Sequence, residues 1–208
     1  MTHPRLYAII DRARTGERPL AEVAEALLGA GVRLIQYRGK QLPSRLMFED
    51  CLEIRERVSR ARGIFIVNDR ADVAMTSDAD GVHLGQDDLP VELARRILGR
   101  GKWVGYSTHS LLQVRDADES SADYIAFGPI FATWTKENPG PVVGLAGLAE
   151  ARKVTRKPLV AIGGITVGNA RAVIEAGADS VAVISGLLNA PDLALRAREF
   201  LDVLVQPA

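Results

Sequence analysis

Ala79-Asp80-Gly81-Val82-His83-Leu84-Gly85-Gln86-Asp87-Asp88 is the stretch that decides the fold. A short core, Val82-His83-Leu84, leaves an Ala-Asp junction and runs straight into glycine, an amide and two carboxylates. Apolar character on successive positions reads as a strand buried on both faces, the signature of a parallel sheet covered by helices. The same Ala-Asp junction precedes two further apolar runs, at Ala122-Asp123 and Ala178-Asp179. Working outward, strands are expected over 6–10, 32–36, 64–67, 81–84, 103–106, 124–127, 158–162 and 180–184. Helical patterns follow each of them, over 19–28, 43–62, 71–75, 90–98, 110–118, 145–154, 167–176 and 191–203. Pro19, Pro43 and Pro90 stand at helix starts, where a missing N–H costs nothing. Eight strand–helix units favour a closed (β/α)8 TIM barrel over a doubly wound sheet, as one catalytic domain over 1–208.

The bulk numbers narrow the function. Lys+Arg and Asp+Glu both count 26, so the net charge is zero and gives no electrostatic case for nucleic acid or an anionic membrane. Aromatic residues make up only 5%, too few for a base-stacking platform. The one cysteine, Cys51, sits in Asp50-Cys51-Leu52-Glu53-Ile54, a helix-interior pattern, and reads as a structural thiol. The opening residues carry no long apolar segment, and no apolar run reaches membrane-spanning length. A soluble, cytoplasmic protein is expected, and a homodimer on the general frequency of such assemblies.

In a (β/α)8 barrel the chemistry lies at the C-terminal ends of the strands. Those ends supply Gln36, Arg38, Lys40, Asn68, Asp69, Gln86, Asp88, Ser107 and His109, and then Thr133 with Lys136, Gly163-Gly164 and Ser185-Gly186. Asp69 and Asp88 follow neighbouring strands, so a parallel pairing would bring them together. Two carboxylates with room for water suit Mg²⁺, which takes one or two protein acids plus substrate phosphates. The plainer alternative makes Asp87 and Asp88 the acidic start of the next helix. Gln36, Arg38 and Lys40 alternate, so an extended chain turns two cations and an amide to one side. That set suits a polyanion. Gly163-Gly164 and Ser185-Gly186 follow strands seven and eight, where barrels frequently bind phosphate. Two anion sites imply two substrates, or one phosphorylated at both ends. Lys136 lies in the longest irregular segment and would stabilise a leaving phosphate or, desolvated, form a Schiff base. His83 reads as a packed core histidine, and His109 as either an acid–base group or a helix-start residue.

Six motifs, in order, resemble the thiamine phosphate synthase family. They are Gln36-x-Arg38-x-Lys40, Asn68-Asp69-Arg70, Gly81 through Asp88, Gly105-Tyr106-Ser107-Thr108-His109, Gly128 through Lys136, and Ala161-Ile162-Gly163-Gly164-Ile165. The resemblance implies a transferase that couples 4-amino-2-methyl-5-(diphosphomethyl)pyrimidine to a thiazole ethyl phosphate, carboxylated or not, releasing pyrophosphate. It places Gln36, Arg38, Lys40, Asn68, Ser107 and Lys136 on the pyrimidine diphosphate, within a 36–40 segment that includes Tyr37 and Gly39. Asp69 and Asp88 would hold Mg²⁺. Thr133, Trp134 and Thr135 would contact the thiazole, and Gly164, Ile184 and Ser185 its phosphate. Lys136, Arg38 and Ser107 are the expected catalytic groups. The implied chemistry is dissociative, with no protein nucleophile.

Tyr37, Trp134 and Ile10 depart from the family pattern, and the first two are expected to reshape the thiazole pocket. Rival readings are a thiazole tautomerase on the same barrel, working through His109, and a non-catalytic sensor of thiazole phosphate or thiamine phosphate. Keeping Asp69, Asp88, Arg38 and Lys136 together favours the synthase.

Overall fold

The computed structural model describes residues 3–133, 135 and 140–205. Eight parallel strands close a barrel in sequence order. They are β1 (Leu6–Asp11), β2 (Leu34–Arg38), β3 (Ile64–Asn68), β4 (Gly81–Leu84), β5 (Trp103–Thr108), β6 (Tyr124–Phe127), β7 (Leu159–Ile162) and β8 (Ser180–Val183). The ring closes where β1 pairs with β8, Tyr7 opposite Ala182. The outer layer contains α1 (Leu20–Gly29), α2 (Ser44–Arg60), α3 (Ala71–Thr76), α4 (Val91–Leu98), α5 (Leu111–Glu119) and α6 (Gly144–Val154). It is completed by α7 (Val167–Glu175), a short α8 (Ser185–Leu188) and α9 (Leu193–Leu204). No helix among the described residues is long and apolar enough to cross a membrane.

The expected (β/α)8 barrel is therefore present, with two local differences. A four-residue helix, α8, stands between β8 and the last helix, and a 3-10 turn (Arg12–Arg14) follows β1. Both are too short to carry a periodic apolar stripe. β2 also runs later than its apolar pattern suggests, through Tyr37 and Arg38. Arg38 extends the strand because its partner Asp11 ends β1 directly opposite, with Asp11 paired to Arg38 in register.

The helices bind the barrel by ordinary stripes. In α2, Met47, Cys51, Ile54 and Val58 are all buried, at spacings of one helical turn. Truncating one of these, such as Ile54, to Ala should cost about 2–5 kcal/mol, as for other buried aliphatic side chains.

The repeated Ala-Asp junction has a structural meaning. Asp80, which precedes β4, accepts from Phe65 N on β3 at 2.8 Å and from Arg55 of α2 at 3.1 Å. Asp123 does the same for Val104 N on β5 (2.7 Å) and pairs with Arg95 of α4. Asp179 accepts from Leu159 N on β7 at 2.8 Å and from Arg152 of α6 at 2.8 Å. Each Asp thus ties the start of the preceding strand to the helix that leads into it. These bonds satisfy the Phe65, Val104 and Leu159 amides at the lower ends of their strands. Because the junctions pin the lower end, the upper end is free to carry irregular loops and the polar residues on them.

Candidate active site

At the upper rim, inward-facing residues of β1 to β8 and the loops after them enclose a cavity of about 400 Å³. Gln36, Arg38, Lys40, Asn68, Asp69, Asp88 and Ser107 all line it, as does Gln86. The alternation expected along 36–40 is realised. Gln36 and Arg38 point inward from β2 and Lys40 follows on the same side.

Asp69 stands just past β3 with φ of 65°, a left-handed conformation uncommon for a residue with a side chain. Its N–H donates to His83 O at 2.8 Å, which ties the kinked backbone to β4. That kink carries the Asp69 carboxyl to Asp88. The Asp69 carboxyl is held above the usual carboxylate range, first by burial and then by its side-chain hydrogen bond with Asp88. The Lys40 ammonium, ion-paired with Asp69, works in the opposite direction. Asp88 is itself positioned by Gly85 N, which donates to Asp88 Oδ2 at 2.6 Å. A Cβ on Gly85 would lie 3.0 Å from that oxygen, so glycine fits the turn.

Two acids pressed together in this way share one negative site, a tension that a divalent cation relieves. The donors are hard oxygens. Among the described residues, no group of three or more His, Cys, Asp or Glu side chains could cage a metal unaided. That combination fits Mg²⁺ completed by substrate oxygens and not a structural metal.

Arg38 is braced by the buried Asp11, whose Oδ2 accepts from Arg38 Nη1 at 2.5 Å. Gln86 Nε2 donates to Ser107 O at 2.5 Å, linking the loop after β4 to the end of β5. Under these groups a hydrogen-bonded chain crosses the barrel. Gln36 Nε2 donates to Tyr7 Oη (2.7 Å), which lies 2.9 Å from Tyr124 Oη. Tyr124 Oη is 3.0 Å from His83 Nδ1, and His83 Nε2 is 2.8 Å from Ser107 Oγ. His83 is buried as expected, but it is a polar link and not mere packing. A strand that alternates apolar residues with a lone histidine carries that signal. Tyr7 and Tyr124, phenols on otherwise aliphatic strands, carry it too.

A second, tighter pocket of about 40 Å³ adjoins the first and shares His109, Ile162, Ala182 and Ile184 with it. Thr133, Thr135, Gly163, Gly164 and Ser185 line it. Thr135 Oγ1 is 3.3 Å from Ser185 Oγ, joining the loop after β6 to the start of α8. Gly164 has φ of 64°, and a Cβ there would meet Ala132 O at 2.5 Å. Only glycine lets this turn pass so close beneath the loop. His109 Nδ1 lies 2.6 Å from Gly128 O, so that nitrogen carries a proton and donates it to the carbonyl.

Two expected substrate contacts are not brought to the site. Tyr37 is fully buried on the outer side of β2, and its hydroxyl donates to Asp50 of α2 at 2.5 Å. Strand alternation forces this, since Gln36 and Arg38 occupy the inner face. Tyr37 therefore lines neither cavity. Gly39 lines neither cavity, and a Cβ there would lie 2.4 Å from Tyr37 Oη. Its role is to pass the chain over that phenol. Lys136 and Trp134 lie outside the described residues.

Comparison with known proteins agrees with this geometry. The family model described as "Thiamine monophosphate synthase" matches residues 6–187. A thiamine-phosphate synthase of Koribacter versatilis is 50% identical over 205 residues, covering 97% of this chain and 96% of the relative. That of Chloroflexus aurantiacus is 46% identical over 195 residues, covering 94% and 90%. Among solved structures, thiamine phosphate pyrophosphorylase from Pyrococcus furiosus superposes with a TM-score of 0.88 at 36% identity, covering 96% of this chain and 95% of that one.

Proposed function

The chain belongs to the thiamine monophosphate synthase family and is a transferase, and on that premise we propose how its rim carries out the reaction. The two substrates are 4-amino-2-methyl-5-(diphosphomethyl)pyrimidine and a thiazole ethyl phosphate. The products are thiamine phosphate and pyrophosphate. The larger cavity takes the pyrimidine diphosphate and the adjoining pocket takes the thiazole phosphate. The observation that carries this assignment is the meeting of Asp69 and Asp88 beside Lys40 and Arg38, next to a pocket of hydroxyls and glycines.

Asp69 and Asp88 would hold Mg²⁺, which supplies neutralising charge at the leaving diphosphate. Arg38, held in place by Asp11, offers a donor fork to the diphosphate, and Lys40 offers a point charge. As the bond from the pyrimidine methylene carbon to the diphosphate oxygen breaks, the diphosphate keeps the electron pair. The thiazole nitrogen then donates its own pair to that carbon. Fixed cations that meet charge as it develops are a large part of such catalysis, and no protein nucleophile is required. Lys136, outside the described residues, would join them. Ser107, Gln36 and Asn68 orient the pyrimidine ring. Thr133 and Thr135 face the thiazole, and Gly164, Ile184 and Ser185 surround its phosphate; Trp134, between the two threonines in sequence, is the third expected thiazole contact.

Pyrophosphate release by the purified protein, with each substrate omitted in turn, tests this. Release is expected only when both substrates and Mg²⁺ are present. An isomerase or a sensor releases none.

A further inference from the structure

The chain of hydrogen bonds beneath the cavity takes its direction from the Gln36 amide. Gln36 Nε2 gives a proton to Tyr7 Oη. With Tyr7 accepting from Gln36, the arrangement that uses every proton within the relay has Tyr7 donating to Tyr124 Oη and Tyr124 donating to His83 Nδ1. His83 is then neutral with its proton on Nε2, and it donates to Ser107 Oγ. Ser107 lines the cavity, so its proton is the one left to give to a bound molecule. At the other end Gln36 keeps Oε1 as an acceptor. The opposite sense, with the amide turned over and every bond reversed, is the arrangement that the test below separates from this one. A reversal at Tyr7 alone would have that phenol accept twice and leave its own proton outside the relay.

The site is built to hold this chain. Tyr7, Gln36 and Tyr124 are at most 2% exposed, and burial pushes both phenols well above their usual range, so each keeps its proton. Tyr124 stacks on His83 with ring centroids 5.5 Å apart. A Cβ on Gly105 would lie 2.0 Å from the Tyr124 ring, so β5 leaves the slot in which that ring sits.

We propose that this five-residue relay is a polarity lock for substrate choice: Tyr7, Tyr124 and His83 are positioning residues that fix Gln36 as an acceptor and Ser107 as a donor toward the substrate ring. The proposal rests on the aminopyrimidine reading above. An amino group beside a ring nitrogen offers one donor and one acceptor, the complement of that pair. The 4-oxo analogue exchanges both, putting acceptor against acceptor and donor against donor. Sites that bind a polar group in this way reject the wrong partner by factors on the order of 10⁴.

The test is the protonation of the His83 ring, read by nitrogen NMR of the intact protein without substrate. His83→Gln identifies its signals among the three histidines. The lock predicts a pyrrole-type Nε2 and a pyridine-type Nδ1. Tyr124→Phe, which keeps the stacked ring but cuts the relay, should turn this into a mixture of tautomers. In that variant the preference for the 4-amino over the 4-oxo substrate, read as a ratio of kcat/KM, should fall about tenfold, roughly one hydrogen bond. Should Tyr124→Phe not fold, Tyr7→Phe cuts the same relay one step earlier and gives the same readouts. A wild-type His83 protonated at Nδ1, or at both nitrogens, overturns the proposal. So does a cut relay with an unchanged tautomer or an unchanged substrate ratio. Because the tautomer is read without substrate, failure of the synthase reading would show separately, as absent pyrophosphate release.

Discussion

Asp69 follows β3 and Asp88 follows its neighbour β4, and both carboxyl groups line one cavity, where Asp88 raises the cost of charge on Asp69. Burial and mutual repulsion hold Asp69 above the ordinary carboxylate range, while the Lys40 ion pair offsets part of that cost. Such an arrangement does not favour folding. It prepares a place for positive charge.

Asp88→Asn should therefore separate activity from stability. Turnover is expected to fall by about 10²–10³, the scale of losing one preorganised electrostatic partner. The melting temperature should stay the same or rise, because the like-charge contact is gone. Steady-state rates over a range of Mg²⁺ concentrations, beside a thermal melt, check both. Near wild-type turnover with a lowered melting point would reverse the assignment.

Gly164→Ala probes the second pocket alone. The positive φ and the 2.5 Å approach to Ala132 O mean that an added methyl must displace the loop after β6. The KM for the thiazole phosphate should rise at least about tenfold, about 1.4 kcal/mol of binding. The KM for the pyrimidine diphosphate should hardly change. Equal effects on both would mean that the two pockets are not separate subsites.

Tyr37→Phe tests the reassignment of that residue to the helix layer. The phenol donates to Asp50, which also pairs with Arg12 at 2.6 Å. Losing one bond to a buried charged acceptor should cost about 1.5–3 kcal/mol of stability, measured by urea unfolding. The kinetic constants for both substrates should stay within about twofold of wild type, since no ligand contact is removed. A selective change in the thiazole KM would return Tyr37 to the substrate site.

Cys51 gives a pH prediction. Burial first, and then the Asp50 carboxylate, pushes its thiol up to about 12. The folded protein therefore binds the thiol proton more tightly than the unfolded chain. The stability this contributes is fully present below the ordinary thiol value of about 8.5 and is lost as pH rises from there toward about 12. Between pH 8 and 10, unfolding free energy should decline more steeply for the wild type than for Cys51→Ala. A thiol reagent at pH 8 should react with the unfolded chain and leave the folded one unmodified. Rapid labelling of the folded protein would contradict this.

Much of this architecture can be read from the chain itself, for a physical reason. Strands covered on both faces must be apolar throughout, so β4 and β6 are delimited at their observed ends, 81–84 and 124–127. The Ala-Asp repeat is legible because the same latch is built three times. The approach of Asp69 to Asp88 is legible because both acids follow apolar runs that pair as neighbouring strands. What the pattern hides is direction. Tyr37 looks like part of the 36–40 motif, yet strand alternation turns it outward to Asp50. The relay of Tyr7, Tyr124 and His83 is hidden for the opposite reason. Its members come from three separate strands, and only closure of the barrel brings their polar atoms together. α8 escapes because four residues hold barely one turn.

The most direct measurement is a crystal structure of this protein grown with Mg²⁺, pyrophosphate and thiamine phosphate. The expected result is one divalent ion touching both Asp69 and Asp88 and bridging to pyrophosphate, with the thiazole phosphate against Gly164 and Ser185. A pyrophosphate bound elsewhere on the barrel, or a metal touching neither acid, would contradict it.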